Sequence, residues 1–390
     1  MEKILIYRWN SNSEQEFIDC VQKLGFRVIT FEQRLTDYHA DARFAQEFLK
    51  VVHKEKPDYV FSYDYFPLVA SLCNMNHMPY LAWIYDWPLY TLYSPTIRYN
   101  TNYIFCFDAV GTEELLERGA ANVYHLPLGV DVNRRMQLIQ TATENQKEGF
   151  RGDVSFVGSL YNEEKNRFRS LVLSDYTRGY AEGIIRAQLQ VYGYHFIPQI
   201  LPEEIVEEIQ LAGKLKLGEY FEWDEKQLVA DCISMEITAR EREMLIAHIA
   251  DKYETYVYTA SPIPDGFQGK AKLYLKGTVN NETELPLVYA GSKINLNISS
   301  RTITSGIPLR VLDVLACGGF LITNYQPEIA EAFEDGKELV MYTDQKDCRD
   351  KVEYYLAHGE ERRIIAANGR KAVRERFELM EMIKRMLEML

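Results

Sequence analysis

Arg310 and Asp313 stand three residues apart inside the apolar run "SGIPLRVLDVLACGGFLITN", residues 305–324. At that spacing two side chains share one face of a helix. Ser305, Gly306 and Ile307 make the loop before the helix. Pro308 suits its first turn, where a missing N–H costs little, and Gly318 or Gly319 ends it. The N–H groups and positive dipole end at such a helix start seat an anion such as a phosphate. Arg310 adds two-pronged donors for the same anion. Asp313, one turn further in, is placed to accept hydrogen bonds from neutral hydroxyls, as a ribose presents. The competing reading is an intrahelical Arg–Asp pair on a solvated face, worth about 0.2–0.5 kcal/mol. The tightly packing glycine flanks and the position after a strand favour the site, because parallel sheets bind ligands at the carboxyl ends of their strands.

The elements that must hold this segment follow from periodicity. "KILIYRW" is a short apolar strand; "EFIDCVQKLGF" has helical spacing at Phe17, Cys20, Val21 and Leu24, stopped by Gly25; "RVITFE" is the next strand. The βαβ rhythm continues through "DYVFSYD", "YLAWIYD", "YIFCFDA" and "NVYHLPLG". It resumes after residue 150 with "DVSFVGSL", "YETYVYTAS", "KAKLYLKG", "KINLNIS", "FLITN" and "LVMYT". That alternation predicts α/β architecture: parallel sheets wrapped by helices. The polar stretch 133–148 interrupts it, so the expected domains are 1–148 and 149–390, the second with a helical insertion at about 174–250.

The chain has 390 residues, 47% apolar and 26% charged, with a net charge of −13. That size suits two domains, and that charge repels nucleic acid and anionic lipid. The six cysteines form no C-x-x-C pair and no zinc spacing, which reads as reduced thiols in a cytoplasmic protein. No signal-peptide pattern opens the sequence, and no apolar run reaches the roughly 18–20 residues of a membrane span. No metal or cofactor is expected.

"GIPLRVLDVLACGGFLITN" resembles the donor-binding segment of GT-B glycosyltransferases, in which an acidic residue before Ala-Cys-Gly holds the ribose of a nucleotide-sugar; Asp313 matches it. With "YLAWIYDWPLYTLYS" and "NVYHLPLGVD", the segment "SKINLNISSRTITSGIPLRVLDVLACGGFLITNYQPEI" is similar to the bacterial CgeB-like (spore maturation protein B-like) glycosyltransferases. The resemblance implies two Rossmann-like domains with sheets facing a cleft, the first for an acceptor and the second for the nucleotide-sugar. It places "FVGSLYNEEKNRFR" at the pyrophosphate, with Gly158 and Ser159 allowing close backbone approach and Lys165 or Arg167 supplying charge; both cations equally suit a plain helix start. It places Thr259 in "YTAS" at the base. Arg301 lies between a buried strand and the phosphate loop. One position departs from the pattern: many retaining enzymes of this fold carry a glutamate where Ser305 stands, so the stereochemical outcome does not carry over.

In the first half, Asp86 in "WIYDWP" follows a strand and should face the cleft. A carboxylate beside aromatic rings binds acceptor hydroxyls or acts as general base with a pKa raised by burial; it equally caps a turn. Trp87, His125 and Asp64 are the other acceptor-side candidates. Together these residues imply transfer of a sugar from a nucleotide-diphosphate sugar, UDP being the favoured nucleotide, to a glycan or protein acceptor. Arg310 and Arg301 would stabilise the departing diphosphate. A non-catalytic nucleotide-sugar scaffold and a UDP-sugar epimerase are the alternatives, and the acidic insertion is a candidate dimerisation surface.

Overall fold

A computed structural model describes residues 1–164 and 166–390 and divides them into two units. Unit 1 is Met1–Gly129 with Leu217–Trp223 and Leu379–Leu390; unit 2 is Val130–Lys216 and Asp224–Glu378.

Unit 1 runs β1 (Lys3–Tyr7), α1 (Glu14–Lys23), β2 (Arg27–Phe31), α2 (Ala42–Glu55), β3 (Tyr59–Tyr63), α3 (Pro67–Met75), β4 (Tyr80–Trp83), β5 (Asn102–Cys106), α4 (Ala109–Glu117) and β6 (Val123–His125). All pairings are parallel, in the order β2-β1-β3-β4-β5-β6. The run Tyr80–Trp83 is buried at every position, as expected of a parallel strand covered on both faces. Asp41 and Asp108 start α2 and α4 by accepting the N–H groups of Phe44 and Gly111, the usual role of an acidic N-cap. The chain leaves β1 to one side for β2 and returns on the other side for β3, so the strand order switches between β1 and β3.

Unit 2 runs α5 (Val132–Thr141), α6 (Glu144–Glu148), β7 (Gly152–Val157), α7 (Asp175–Gln188), α8 (Ile197–Ile200), α9 (Glu203–Gly213), α10 (Glu225–Ala250), β8 (Thr255–Tyr258), β9 (Leu273–Gly277), α11 (Leu285–Gly291), β10 (Ser292–Asn297), α12 (Leu309–Ala316), β11 (Leu321–Asn324), α13 (Pro327–Ala332), β12 (Val340–Tyr342), α14 (Gln345–Ala357) and α15 (Gly359–Arg376). The final helix, α16 (Leu379–Glu388), belongs to unit 1. The second sheet is also parallel, ordered β12-β11-β10-β7-β8-β9, and its switch falls between β7 and β10. The insertion is helical, as its sequence predicts, with its own core of Ile184, Ile185, Ile205, Ile209, Ile233 and Ile237.

The boundary differs from the expected 148. The stretch 133–148 is two helices, and α5 packs on α11, α12 and α15 of unit 2. Its buried stripe is only Val132 and Arg135, too short and too polar to stand out by composition. At the other end α16 packs on α1, so the last residues of the chain complete unit 1.

Candidate functional site

The loops leaving the carboxyl ends of β7 and β10, on either side of the switch, are joined by Arg242 of α10. Its guanidinium donates to the carbonyls of Ser159 and Ile298 and lies 4.8 Å from the Tyr161 ring centroid. Burial pushes its pKa down to about 10, and Arg310 nearby adds to that.

Gly158 follows β7 with a φ of +142°, and a Cβ there would lie 2.5 Å from Nη2 of Arg310. Glycine alone lets the Arg310 guanidinium rest against this loop. Nη1 of Arg310 donates to Oδ1 of Asn297 (3.3 Å), a fully buried residue at the end of β10. Three residues on, Asp313 is buried, and its Oδ1 accepts from both Nε and Nη2 of Arg135 on α5 at 3.2 Å. Burial raises the Asp313 pKa, and the charges of Arg135 and then Arg310 oppose it. Asp313 therefore does not pair with Arg310 on a solvated face; Arg135 supplies its countercharge.

Arg301 is buried and committed: Nε donates to Glu241 (2.7 Å), Nη1 to the Val191 carbonyl (2.9 Å), and the guanidinium stacks 4.0 Å from the Tyr192 ring. Its charge is neutralised by Glu241, which weakens the expected role of Arg301 beside a diphosphate. Nη2 is buried with no hydrogen-bond partner among the described residues, the one donor it retains. Ser305 is buried and donates to Glu328 (2.7 Å); Gly306 and Ile307 are buried beside it.

Ser159 donates to Glu163 (2.7 Å), and Thr259 accepts the N–H of Ser261, whose hydroxyl accepts from Leu160 N–H (2.7 Å) and donates to Glu163. These hydroxyls tie the loop after β7 to the loop after β8. Arg167 is exposed and reaches toward the carbonyls of Gly213 and Lys214 at the end of α9, so it serves the insertion. Lys165 lies outside the described residues.

In unit 1, Asp86 is exposed, and the burial expected of it belongs to Asp64. Asp64 follows β3 with a φ of 57°, and its Oδ1 accepts the N–H groups of Tyr85 (2.8 Å) and Asp86 (3.0 Å). Burial raises its pKa to about 7, with the Asp86 charge adding to the shift. Trp87 is half-buried, its indole laid on Gly111 of α4, where a Cβ would come within 2.6 Å of the ring; that ring serves packing. His125 is exposed at the end of the edge strand β6.

Sequence reasoning missed Arg135, Glu241 and Arg242. A signal existed for two of them: Glu241 and Arg242 follow Ile233 and Ile237 and precede Leu245 and Ile249 at core-facing helical spacing. Charges in that phase must be paired or bonded.

Residues 240–388 match the family model described as "Glycosyl transferase-like". No curated protein matches the chain. Among solved structures, Anabaena Alr3699/HepE in complex with UDP-glucose superposes with a TM-score of 0.57 at 10% identity, over 100% of this chain and 99% of that one. Sucrose-phosphate synthase from Thermosynechococcus elongatus gives 0.57 at 8% identity, over 100% and 98%. A glycosyltransferase from Rickettsia africae gives 0.57 at 10%, over 99% and 97%. The fold is GT-B. Within a GT-B frame, the loops after β7 and β10 lie at the switch point of the second sheet, where open α/β sheets take their ligands.

Proposed function

We propose that the protein is a CgeB-like glycosyltransferase that moves a sugar from a nucleotide-diphosphate sugar, UDP being the favoured nucleotide, to a glycan or protein acceptor. One observation carries the reading: at the switch of the second sheet the Arg310 guanidinium rests against Gly158, a glycine it requires, with Asp313 three residues along the same helix. The UDP-glucose complex of HepE supports the choice of nucleotide.

In this reading unit 2 holds the donor. Arg310, with the N–H groups at the start of α12, neutralises the diphosphate as the glycosidic bond to the sugar breaks, the role of an oriented cation at a leaving group. Asp313 accepts the ribose hydroxyls, and the Arg135 charge opposes the upward pKa shift that burial imposes on it. Arg242 fixes the two loops so that the donor meets a prearranged site. Unit 1 holds the acceptor, with Asp86 at the edge of β4 as the base and Asp64 fixing the turn that carries it. The six cysteines, all buried and outside any disulfide among the described residues, fit a reducing, cytoplasmic setting.

Calorimetric titration with UDP, GDP, ADP and CMP tests the reading. UDP should bind selectively, and Asp313→Asn should weaken it while the protein stays folded. Binding of none of the four, or equal affinity in the variant, overturns the donor site. Release of UDP from a UDP-sugar panel, dependent on Asp86 and an added acceptor, then separates a transferase from a passive binder.

A further inference from the structure

A cavity of about 580 Å³ opens at the carboxyl ends of β1 and β2 in unit 1, with Phe66 just beyond β3 in its wall. It lies over the end of β1, mostly on its β2 side, and reaches the β1/β3 switch of the first sheet at Phe66. Aromatic rings dominate one side. Tyr38 is 48% exposed and stacks on Phe66 at 28° with 6.4 Å between centroids. Trp9 packs against the same Phe66, and its indole N–H is fixed to the Tyr63 carbonyl (2.7 Å).

The polar side is charged but balanced. In a sheet that binds phosphate, the N–H groups of the loop after the first strand surround the anion. Here Glu14 takes that place from within the chain: its Oε1 accepts the N–H groups of Trp9 (2.9 Å), Asn10 (3.0 Å) and Ser11 (3.0 Å). Its Oε2 accepts Nε of Arg8, which also bonds Glu32 (2.9 Å). Arg8 and Arg34 against Glu14 and Glu32 leave the lining with no net formal charge. The anion-binding nest is filled by a buried carboxylate of the protein itself.

We propose that this pocket binds a neutral saccharide, one or two pyranose rings lying on Tyr38 and Trp9 with their hydroxyls met by Arg8, Glu32 and Arg34. Aromatic faces take the C–H side of a sugar ring, and paired charges offer donors and acceptors to its hydroxyls without favouring an anion. The volume falls in the range of pockets for ligands of that size. That the saccharide is the acceptor end rests on the glycosyltransferase reading; the pocket's preference does not.

The test is saturation-transfer NMR and tryptophan fluorescence on the full chain with maltose, cellobiose, lactose and chitobiose, and with glucose 6-phosphate and UMP as anionic probes. The expected result is saturable binding of at least one neutral disaccharide, weakened about fivefold or more by Tyr38→Ala, with the anionic probes weaker. No saturation by any disaccharide at tens of millimolar overturns the proposal. So does unchanged affinity in Tyr38→Ala, or tighter binding of glucose 6-phosphate than of the disaccharides. UDP titration of the same samples reports on unit 2: UDP binding without disaccharide binding sinks this pocket alone, and the reverse sinks the donor reading alone.

Discussion

Two carboxylates show how environment assigns roles that residue type leaves open. Asp64 is buried with a pKa raised to about 7. A raised pKa means that the folded state holds the proton more tightly than the unfolded chain, so the ionised form costs stability above about pH 7. That cost disappears as pH falls through 7 toward the ordinary carboxylate range. Unit 1 should therefore melt higher at pH 6 than at pH 8. Asp64→Asn, which keeps an acceptor for the Tyr85 and Asp86 N–H groups, should raise the pH 8 midpoint by several degrees and the pH 5 midpoint by clearly less; equal midpoints at pH 8 for the two proteins would falsify this. Asp313 is a second buried carboxylate with a raised pKa, but there the charges of Arg135 and then Arg310 oppose the effect of burial. Arg135→Met removes the larger part of that opposition, so the Asp313 pKa climbs further. UDP affinity should fall about tenfold at pH 7 and recover toward pH 9, with partial rescue by Arg135→Lys. A loss of affinity that is flat from pH 6 to 9 means that Arg135 only shapes the site.

At the scale of elements, the contrast between glycines separates a site from a scaffold. Gly158→Ala places a Cβ against Arg310 and asks an L side chain to hold a φ of +142°. The expected cost is about 1–3 kcal/mol in unit 2, with loss of UDP binding as the guanidinium is displaced. Gly183 lies exposed inside α7 with nothing within 4 Å of a Cβ. Gly183→Ala should stabilise by up to about 1 kcal/mol and leave UDP binding as it was; denaturant melts of both variants check the pair. The same scale shows what was legible. The twelve strands of the described residues follow from apolar runs between glycine and proline breaks, most clearly at Tyr80–Trp83, where burial on both faces excludes charge. The helix of Arg310 and Asp313 was legible for its spacing and flanks. Its partners were not: Asp313 meets Arg135 178 residues earlier in the chain, and Arg242 meets Ser159 83 residues earlier. No periodicity encodes such pairs. Helix α5 reads as an interruption of the strand–helix rhythm because most of its face is polar, and Asp86 takes the burial of Asp64 because both follow apolar strands.

The molecule is two parallel sheets, each with one reversal of strand order, and each reversal opens a place where backbone N–H groups can gather. In unit 2 arginines meet at that place; in unit 1 a glutamate fills it. The division of labour proposed here, anion in one unit and neutral sugar in the other, makes a prediction for the whole chain that hydrogen exchange can read. UDP should slow exchange at 158–161 and 298–310, where Arg242 and Arg310 join the β7 and β10 loops, because a bound diphosphate opposes the local opening that exposes those amides. The same addition should leave 34–39 of unit 1 unchanged. A disaccharide that saturates the Tyr38 pocket should do the reverse. Protection of 34–39 by UDP equal to that of 158–161 would mean that the Glu14 carboxylate does not exclude an anion from the first sheet, and that the two switch points do not differ in what they bind.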